Sequence, residues 1–134
     1  MTKHIFETHP IPAAGLLGLA TIPFHLLLSE TASYFLAAGI LSLIAGIYIG
    51  FAVIDGRMSR MLLEGAVALA FTVFAMFTLS TAPVWLVAGY FAHGVWDAIH
   101  HSPLVDTLFP RWYIPACAIY DFIVGAAIWI IWSV

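Results

Sequence analysis

The chain has 134 residues, of which 63% are hydrophobic and only 8% are charged, and its formal net charge is -3. Soluble domains carry roughly 25% charged residues, so this composition and the mean hydropathy of +1.06 argue against a water-soluble protein. The few charges form no run or tail, which excludes a typical nucleic-acid-binding surface. The single cysteine, Cys117, excludes an internal disulfide and a thiolate-rich metal site.

Five apolar segments follow one another along the chain, each close to the roughly 20 residues that cross a bilayer as a helix. They span residues of about 12–28, 32–54, 61–79, 84–101 and 113–132. Backbone groups cannot stay unpaired in lipid, so each segment is expected to be a helix. The short connections between them make successive helices antiparallel neighbours. The sequence therefore predicts an all-α, polytopic membrane helix bundle that forms a single transmembrane domain over residues 1–134.

The first segment is the weakest of the five, because it is short and contains Pro23 and His25. A bundle of four transmembrane helices with a re-entrant or interfacial start is therefore the alternative. With five crossings, all four basic residues fall on the same side of the membrane: Lys3, Arg57, Arg60 and Arg111. With four crossings, Lys3 would lie opposite the other three. The positive-inside tendency thus favours five helices, a cytoplasmic N-terminus and an outward C-terminus.

The second segment contains a small-xxx-small motif, Gly46-Ile47-Tyr48-Ile49-Gly50. Such faces let membrane helices approach each other closely. Besides the lipid bilayer, the expected partners are therefore a second copy of the chain, bound through the face of Gly46 and Gly50, or the subunits of a larger membrane complex. Nucleic acid is not expected as a partner.

The fourth segment ends in a run rich in ionisable residues, His93-Gly94-Val95-Trp96-Asp97-Ala98-Ile99-His100-His101. At 100° per residue, His93, Asp97 and His100 fall within about 60° of one another, with His101 at the edge of that face. The segment from Val84 to Ala92 has no ionisable group. A one-sided pocket is therefore favoured over a path for protons or cations through the membrane.

Two neighbouring segments each add a carboxylate, Glu64 in the third and Asp121 in the fifth, and Cys117 lies one turn before Asp121 on the same face. Measured at about 1.5 Å per residue from the predicted helix ends, Glu64 and Asp97 lie roughly 6 Å deep, and His93 and Asp121 about 12 Å deep. All four depths count from the same membrane face. Because charged groups within a membrane turn inward and find partners, we expect one polar pocket that opens toward the cytoplasm.

Imidazole and carboxylate groups on one stripe suit zinc, iron or manganese. The candidate ligands of such a divalent metal are His93, Asp97, His100, His101 and Asp121. The same pocket could do acid-base chemistry without a metal, with Asp97, Asp121 and Glu64 as the candidate catalytic residues. A structural network is the other interpretation, in which Glu64 forms an ion pair with Arg60 one turn before it and the remaining polar groups hold helices, or a partner subunit, together.

Three stretches resemble a family of small, uncharacterised bacterial membrane proteins with the signature His-Gly-x-Trp-Asp-x-x-His-His. They are residues 89–101 with that signature, Pro110-Arg111-Trp112-Tyr113-Ile114-Pro115 followed by Tyr120-Asp121, and Gly46 to Gly56. The resemblance covers most of the chain from the second segment onward. It implies a bacterial inner membrane, no particular activity, and the same five positions that are the metal-ligand candidates. In residue roles alone, the chain is also similar to membrane proteins of the sterol isomerase type, which implies proton transfer on a lipid-like substrate.

Overall fold

The computed structural model describes residues 5–134, and these form an all-α bundle without strands, which confirms the predicted fold class. The helices are α1 (Ile5–Thr8), α2 (Pro10–Leu27), α3 (Glu30–Asp55), α4 (Met58–Thr81), α5 (Leu86–His100) and α6 (Tyr113–Ser133). Lys3, on which the predicted charge asymmetry partly depends, lies outside the described residues.

Four of these helices, α2, α3, α4 and α6, are long and apolar enough to cross a membrane, which indicates an integral membrane protein. The remaining predicted segment, the fourth, corresponds to α5, which has only 15 residues. At 1.5 Å per residue α5 is about 22 Å long, whereas the hydrocarbon core is about 30 Å thick. A 3-10 turn, Pro83–Trp85, extends it at its start. The sequence made the first segment the least certain transmembrane helix, whereas in the structure the helix too short to cross is that of the fourth segment.

Local sequence explains where the long helices begin and end. The side chain of Ser29 accepts a hydrogen bond from the backbone N–H of Ala32, 3.3 Å away, and so caps the start of α3. At the other end, Gly56 has a φ of 80°, a left-handed conformation that favours glycine and that ends α3. Pro10 begins α2, a position that tolerates proline because the first N–H groups of a helix have no partner within it.

The helices pack mainly in three pairs, α3 with α4, α2 with α6 and α5 with α6. The fully buried side chains of Leu41, Tyr90 and Ile128 belong to the apolar core that joins them. The Tyr90 hydroxyl donates a 2.8 Å hydrogen bond to the Ala37 carbonyl, which ties α5 to α3. By contrast, a Cβ added at Gly46 or Gly50 would meet nothing within 4 Å, so the face that the sequence proposed for helix association is open.

A close approach between α3 and α5 predicts opposite effects for two Gly→Ala substitutions. A Cβ at Gly89 would lie 2.7 Å from the Leu41 Cδ2 atom, and Leu41 is fully buried. Gly89→Ala should therefore lower the free energy of unfolding by about 1–3 kcal/mol through overpacking. The matched control Gly39→Ala meets nothing within 4 Å and should be neutral or stabilising by up to about 1 kcal/mol. Thermal unfolding in detergent checks both, and a loss of equal size in the two variants would contradict this packing.

A polar contact joins α2, α3 and α6 at the end of the bundle that carries Trp132. The Trp132 Nε1–H group donates to the Ser33 hydroxyl at 2.9 Å, and the His25 Nδ1 atom lies 2.8 Å from the same oxygen. His25 is thus buried at the end of the bundle opposite to the ionisable run of α5.

An ion-pair network closes the other end, where the loop after α5 returns over α3 and α4. The Arg57 Nε atom lies 2.6 Å from Asp55, and its Nη1 atom lies 2.9 Å from Asp106. The Arg60 Nη2 atom lies 2.6 Å from the other oxygen of Asp106. Asp55 also accepts from the backbone N–H of Leu108 at 2.8 Å. The loop is therefore fixed over the end of the bundle by charged groups from three segments.

This network predicts an acid-sensitive contribution to stability. The hydrogen-bonded Arg57 guanidinium holds the pKa of the Asp106 carboxyl below its ordinary value. Because this pKa is lower in the folded than in the unfolded chain, the stabilisation is fully present above the unfolded pKa, about 3.9, and is lost as the pH falls through the folded pKa. Between about pH 6 and about pH 2, the melting temperature of the wild type should fall more steeply than that of Asp106→Asn. Both side chains are partly exposed, so added salt should shrink the difference; parallel curves at low salt would contradict the pairing.

Candidate functional site

The candidate site lies between α5 and α6, near the end of the bundle that the ion-pair network closes. His93 and Asp97 are one turn apart on α5, and Cys117 and Asp121 are one turn apart on α6. One potential ligand atom from each of these four side chains lies within 4.8 Å of the other three. We call these four residues the His93 cluster. All four are buried, and His93, Asp97 and Asp121 are 0% exposed.

Close contact between the two helices brings the cluster together. A Cβ at Gly94, beside His93, would lie 2.9 Å from the ring of Phe122, beside Asp121. Only a glycine therefore lets α6 approach α5 at this level without displacing the ring. Residues four apart project from the same face of a helix. The spacing of one turn therefore directs both side chains of each helix into the cluster.

Hydrogen bonds link the cluster internally and to α3. The His93 Nδ1 atom lies 2.7 Å from Asp121 Oδ2 and 3.7 Å from Asp97 Oδ1. The Tyr48 hydroxyl donates to Asp97 Oδ1 at 2.5 Å, and the Cys117 Sγ atom lies 4.0 Å from Asp121 Oδ2. Tyr48 thus positions Asp97 from a third helix.

Three polar atoms of the cluster have no hydrogen-bond partner although they are buried. These atoms are His93 Nε2, Asp97 Oδ2 and Asp121 Oδ1. Buried polar atoms are nearly always hydrogen-bonded in proteins, and each unpaired one is unfavourable by roughly 1–3 kcal/mol. Of the basic side chains at this end of the bundle, Arg57 and Arg60 pair with Asp106 instead, and Arg111 is exposed. Two carboxylates therefore share a buried site with one imidazole and one thiol.

A second buried group, which we call the Glu64 pair, lies beside the cluster. The His100 Nε2 atom lies 2.9 Å from Glu64 Oε1, and the Thr107 hydroxyl donates to that same oxygen at 2.6 Å. The His100 Nδ1 atom lies 2.9 Å from the Trp96 carbonyl and must donate to it, because a carbonyl oxygen only accepts. Both ring nitrogens of His100 are therefore used, and the pair joins α4, α5 and the loop after α5.

Tyr48 lies between the two groups. Its ring centroid is 5.8 Å from that of His93 and 4.7 Å from that of His100. The two groups therefore touch through one aromatic side chain, but they do not share ligand atoms.

The structure brings together three of the predicted site residues, His93, Asp97 and Asp121. Glu64 and His100 meet each other in the neighbouring pair, and Glu64 pairs with His100 and not with Arg60. His101 is exposed at the end of α5 and lies outside both groups. Among the described residues, Cys117 joins the cluster, as its position one turn before Asp121 suggested.

Tyr48 and Thr107 were missed by sequence reasoning. Tyr48 lies in the apolar Gly46 to Gly50 stretch, where an aromatic residue has no charge or spacing that marks it. Tyr48 and Asp97 are 49 residues apart in the chain, so only the tertiary structure shows that they are in contact. Thr107 lies in a loop, where no helical periodicity indicates which way a side chain points.

The site differs in accessibility from the expected pocket open toward the cytoplasm. His93, Asp97 and Asp121 are fully enclosed, and the cavity that reaches Cys117 is lined almost entirely by apolar atoms. The loop after α5, which carries the buried residues Val105 and Thr107, covers the end where the sequence predicted an opening.

No protein-family model, curated protein or solved structure matches this chain. The resemblance to the family with the His-Gly-x-Trp-Asp-x-x-His-His signature therefore stays a prediction, and the function has to be inferred from the site itself.

Proposed function

We propose that this integral membrane protein binds a divalent transition-metal ion in the His93 cluster and uses it for acid-base chemistry on a lipid-like substrate. One observation carries the proposal: potential ligand atoms of His93, Asp97, Cys117 and Asp121 lie within 4.8 Å of one another inside the bundle. A chance gathering of four such side chains is unfavourable in a membrane protein, because each ionisable group in lipid costs a few kcal/mol and such groups usually mark functional sites.

The charge balance of the cluster supports a cation. With both carboxylates ionised, Asp97 and Asp121 carry two negative charges at a site that is fully buried. Buried charges need partners, and a divalent ion would offset these two charges, or two of three charges when Cys117 binds as the thiolate. It would also accept a free electron pair of Asp121 Oδ1, which has no hydrogen-bond partner.

The donor types favour zinc, which takes imidazole nitrogen, thiolate sulfur and carboxylate oxygen. With zinc bonds of about 2.0–2.3 Å, ligand atoms at tetrahedral corners lie roughly 3.3–3.8 Å apart. The separation of 3.7 Å between His93 Nδ1 and Asp97 Oδ1 fits, and that of 4.0 Å between Cys117 Sγ and Asp121 Oδ2 is close. The 2.7 Å between His93 Nδ1 and Asp121 Oδ2 is a hydrogen bond, which would have to open by less than an ångström.

The roles follow from the contacts of each side chain. We assign His93, Cys117 and Asp121 as ligands, which leaves one position for a water molecule or substrate, as in catalytic zinc sites. A metal at such a position would make bound water acidic enough to act near neutral pH. Asp97, held by the Tyr48 hydroxyl at 2.5 Å, is then the general base or fourth ligand. Glu64 and His100, bonded to each other, lie on the other side of the Tyr48 ring and are not part of the metal site.

Tyr48→Phe tests whether the hydroxyl positions Asp97. The substitution removes one hydrogen bond and keeps the ring, so the fold should remain. Loss of a group that orients a metal-binding side chain typically lowers metal affinity by about 10–100-fold, and we expect a loss in this range in zinc titrations. The matched control is Tyr34→Phe, whose hydroxyl donates to Glu30 at the other end of the bundle. Equal zinc affinity in wild type and Tyr48→Phe would argue against a role for Tyr48.

The proposed setting is a bacterial inner membrane with the N-terminus in the cytoplasm, which would place the His93 cluster in the cytoplasmic half of the bilayer. Membership of the uncharacterised signature family would agree with this setting. Association with a second copy through the open Gly46 and Gly50 face, or with a larger membrane complex, belongs to the same proposal.

The competing function is a non-enzymatic membrane subunit whose polar groups only hold helices together. The Glu64 pair favours it, because both nitrogens of His100 and one oxygen of Glu64 are hydrogen-bonded within the chain. The His93 cluster has three buried atoms without a hydrogen-bond partner and the Glu64 pair has one, Glu64 Oε2, so the cluster is the group that favours a metal.

Metal binding by the detergent-purified, full-length chain separates the two functions. After chelation and dialysis against zinc, iron or manganese, we expect one ion per chain in the wild type. Variants His93→Ala and Asp121→Asn should lose it. His101→Ala and Asp106→Asn are the matched controls, since the same residue types are exposed at the same end of the bundle, and both should keep the ion. A folded wild type that retains none of the three metals would overturn the proposal.

A further inference from the structure

A groove on the outside of the bundle leads to the His93 cluster. It lies between α2, α3 and α6, because α2 packs along α6 and makes little contact with α3. Its volume is about 370 Å³, and its walls are almost entirely apolar. That volume falls within the roughly 300–1,000 Å³ of pockets that hold small molecules.

The groove opens toward lipid. Leu17 and Leu43, which belong to its walls, are 52% and 66% exposed, so the mouth lies on the outer surface of two helices that are long enough to cross the membrane. In a bilayer this surface faces hydrocarbon chains. A water-soluble substrate would find almost no polar group in the groove, whereas a hydrocarbon chain would find a continuous apolar wall.

The inner wall of the groove connects it to the site. Cys117 lines the groove and is also a member of the His93 cluster. Tyr113 lines it as well, and the Tyr113 ring packs against the ring of Tyr48, with centroids 5.7 Å apart. Tyr48 in turn donates to Asp97. A molecule in the groove would therefore touch the cluster through Cys117 without any polar passage from water.

Depth along the helices gives the groove a direction. Tyr113 begins α6, and Cys117, four residues further on, lies about 6 Å deeper. The polar layer on each side of a bilayer is about 5–7 Å thick, so with Tyr113 at the membrane surface Cys117 would lie near the boundary between the polar layer and the hydrocarbon. Along α3, Ile47 is about 12 Å from the helix end at Asp55, and Ile40 is about 10 Å further from that end, close to the middle of the helix.

We propose that the groove binds one acyl chain of a membrane lipid, with the ester end of the chain at Tyr113 and Cys117 and its methyl end toward Ile40. This orientation is the one that a lipid already has in the leaflet, so the chain enters sideways without turning. The inference deepens the proposed function by naming an acyl lipid as the substrate class, and it rests on that function only in calling the bound lipid a substrate.

Photocrosslinking in lipid nanodiscs tests the binding and its direction. Two phosphatidylcholine probes carry a diazirine, one on an acyl carbon near the ester and one near the methyl end, and mass spectrometry locates the adducts. We expect the first probe to label Tyr113 and Cys117, and the second to label Ile40 and Tyr120. Both should label the groove more heavily than the outer face of α4 at Leu69 and Val73, which are 63% and 58% exposed. Adducts spread evenly over all lipid-facing residues would overturn the proposal, and a reversed order would overturn the direction.

Filling the groove supplies the control. Ala116 lines it and is 6% exposed, so Ala116→Phe should reduce groove labelling by more than half. Leu69→Phe, on the outer face of α4, should leave it unchanged. If Ala116→Phe does not fold, Leu43→Trp at the exposed mouth replaces it. Unchanged labelling in a folded groove variant would contradict the proposal.

The zinc content of the same samples separates this inference from the proposed function. Ala116→Phe should keep zinc and lose more than half of the groove labelling, whereas Asp121→Asn should lose zinc and keep groove labelling. Groove labelling without zinc in the wild type would leave the lipid site standing and reject the metal. Zinc binding without groove labelling would support the metal site and reject the lipid site.

Discussion

Asp121→Asn should make the metal-free protein as stable as the wild type or more stable, and should abolish its stabilisation by zinc. The amide keeps the shape of the side chain and can still bond His93, whose Nδ1 atom is 2.7 Å from Asp121. It removes one of two carboxylates that are fully buried and incompletely paired. Replacing buried charged groups with neutral ones of similar shape is often neutral or stabilising.

Zinc should stabilise the wild type but not Asp121→Asn. At a free zinc concentration 100 times the dissociation constant, a ligand stabilises the folded state by about 2.7 kcal/mol. We expect a gain of this size in the wild type and almost none in Asp121→Asn, because loss of a direct ligand should weaken binding by more than the roughly 10–100-fold typical of supporting groups. Thermal unfolding with a chelator and with zinc measures both effects. Asp106→Asn, in the exposed ion-pair network, is the control that should keep the zinc response.

An Asp121→Asn variant that is much less stable than the wild type in the presence of the chelator would contradict this prediction. It would mean that Asp121 is a structural member of a satisfied polar network, and a wild type without a zinc response would support the same conclusion.

The second large effect is expected at the Glu64 pair, where His100→Ala should lower the free energy of unfolding by about 3–5 kcal/mol. Removing one partner of a buried pair leaves the other charge without compensation, and here it would leave Glu64 with only the Thr107 hydroxyl. His101→Ala is the matched control, since this neighbouring histidine is exposed and its loss should change stability by less than about 0.5 kcal/mol.

A double variant checks that the effect belongs to the pair. If Glu64→Gln removes the uncompensated charge, then His100→Ala should cost less in that background than in the wild type. Equal losses in both backgrounds, or similar losses for His100→Ala and His101→Ala, would contradict the pairing. Zinc binding should survive in every folded member of this series, because the Glu64 pair shares no ligand atom with the His93 cluster.

Helix depth and periodicity were enough to predict part of the site. The meeting of His93, Asp97 and Asp121 follows from two antiparallel helices with the rise and spacing of an α-helix, and both are simple properties of the sequence. The same reasoning placed Cys117 on the face of Asp121. It could not predict the division into two groups, since depth and angle do not tell which neighbouring helix a side chain faces. The pairing of Glu64 with His100, outside the His93 cluster, was therefore not predicted.

The features that sequence reasoning missed depend on tertiary packing and on the loop after α5. Tyr48 looks like an ordinary aromatic residue of an apolar helix until α3 packs beside α5. α5 begins only at Leu86, after the 3-10 turn Pro83–Trp85, and ends at His100, after which the chain turns back over the bundle and buries Thr107. His101 shares the composition of the run but comes after that end, where the helix no longer directs it inward.

X-ray absorption at the zinc edge of the purified, zinc-loaded protein tests the metal site most directly. The assignment of His93, Cys117 and Asp121 as ligands predicts one zinc ion per chain, with one sulfur atom at about 2.3 Å and nitrogen or oxygen atoms at about 2.0–2.2 Å. The sulfur should disappear in Cys117→Ser, which is unambiguous because the chain has a single cysteine. A zinc ion without a sulfur or imidazole ligand, or a folded protein that retains no zinc, would contradict the His93 cluster as a metal site.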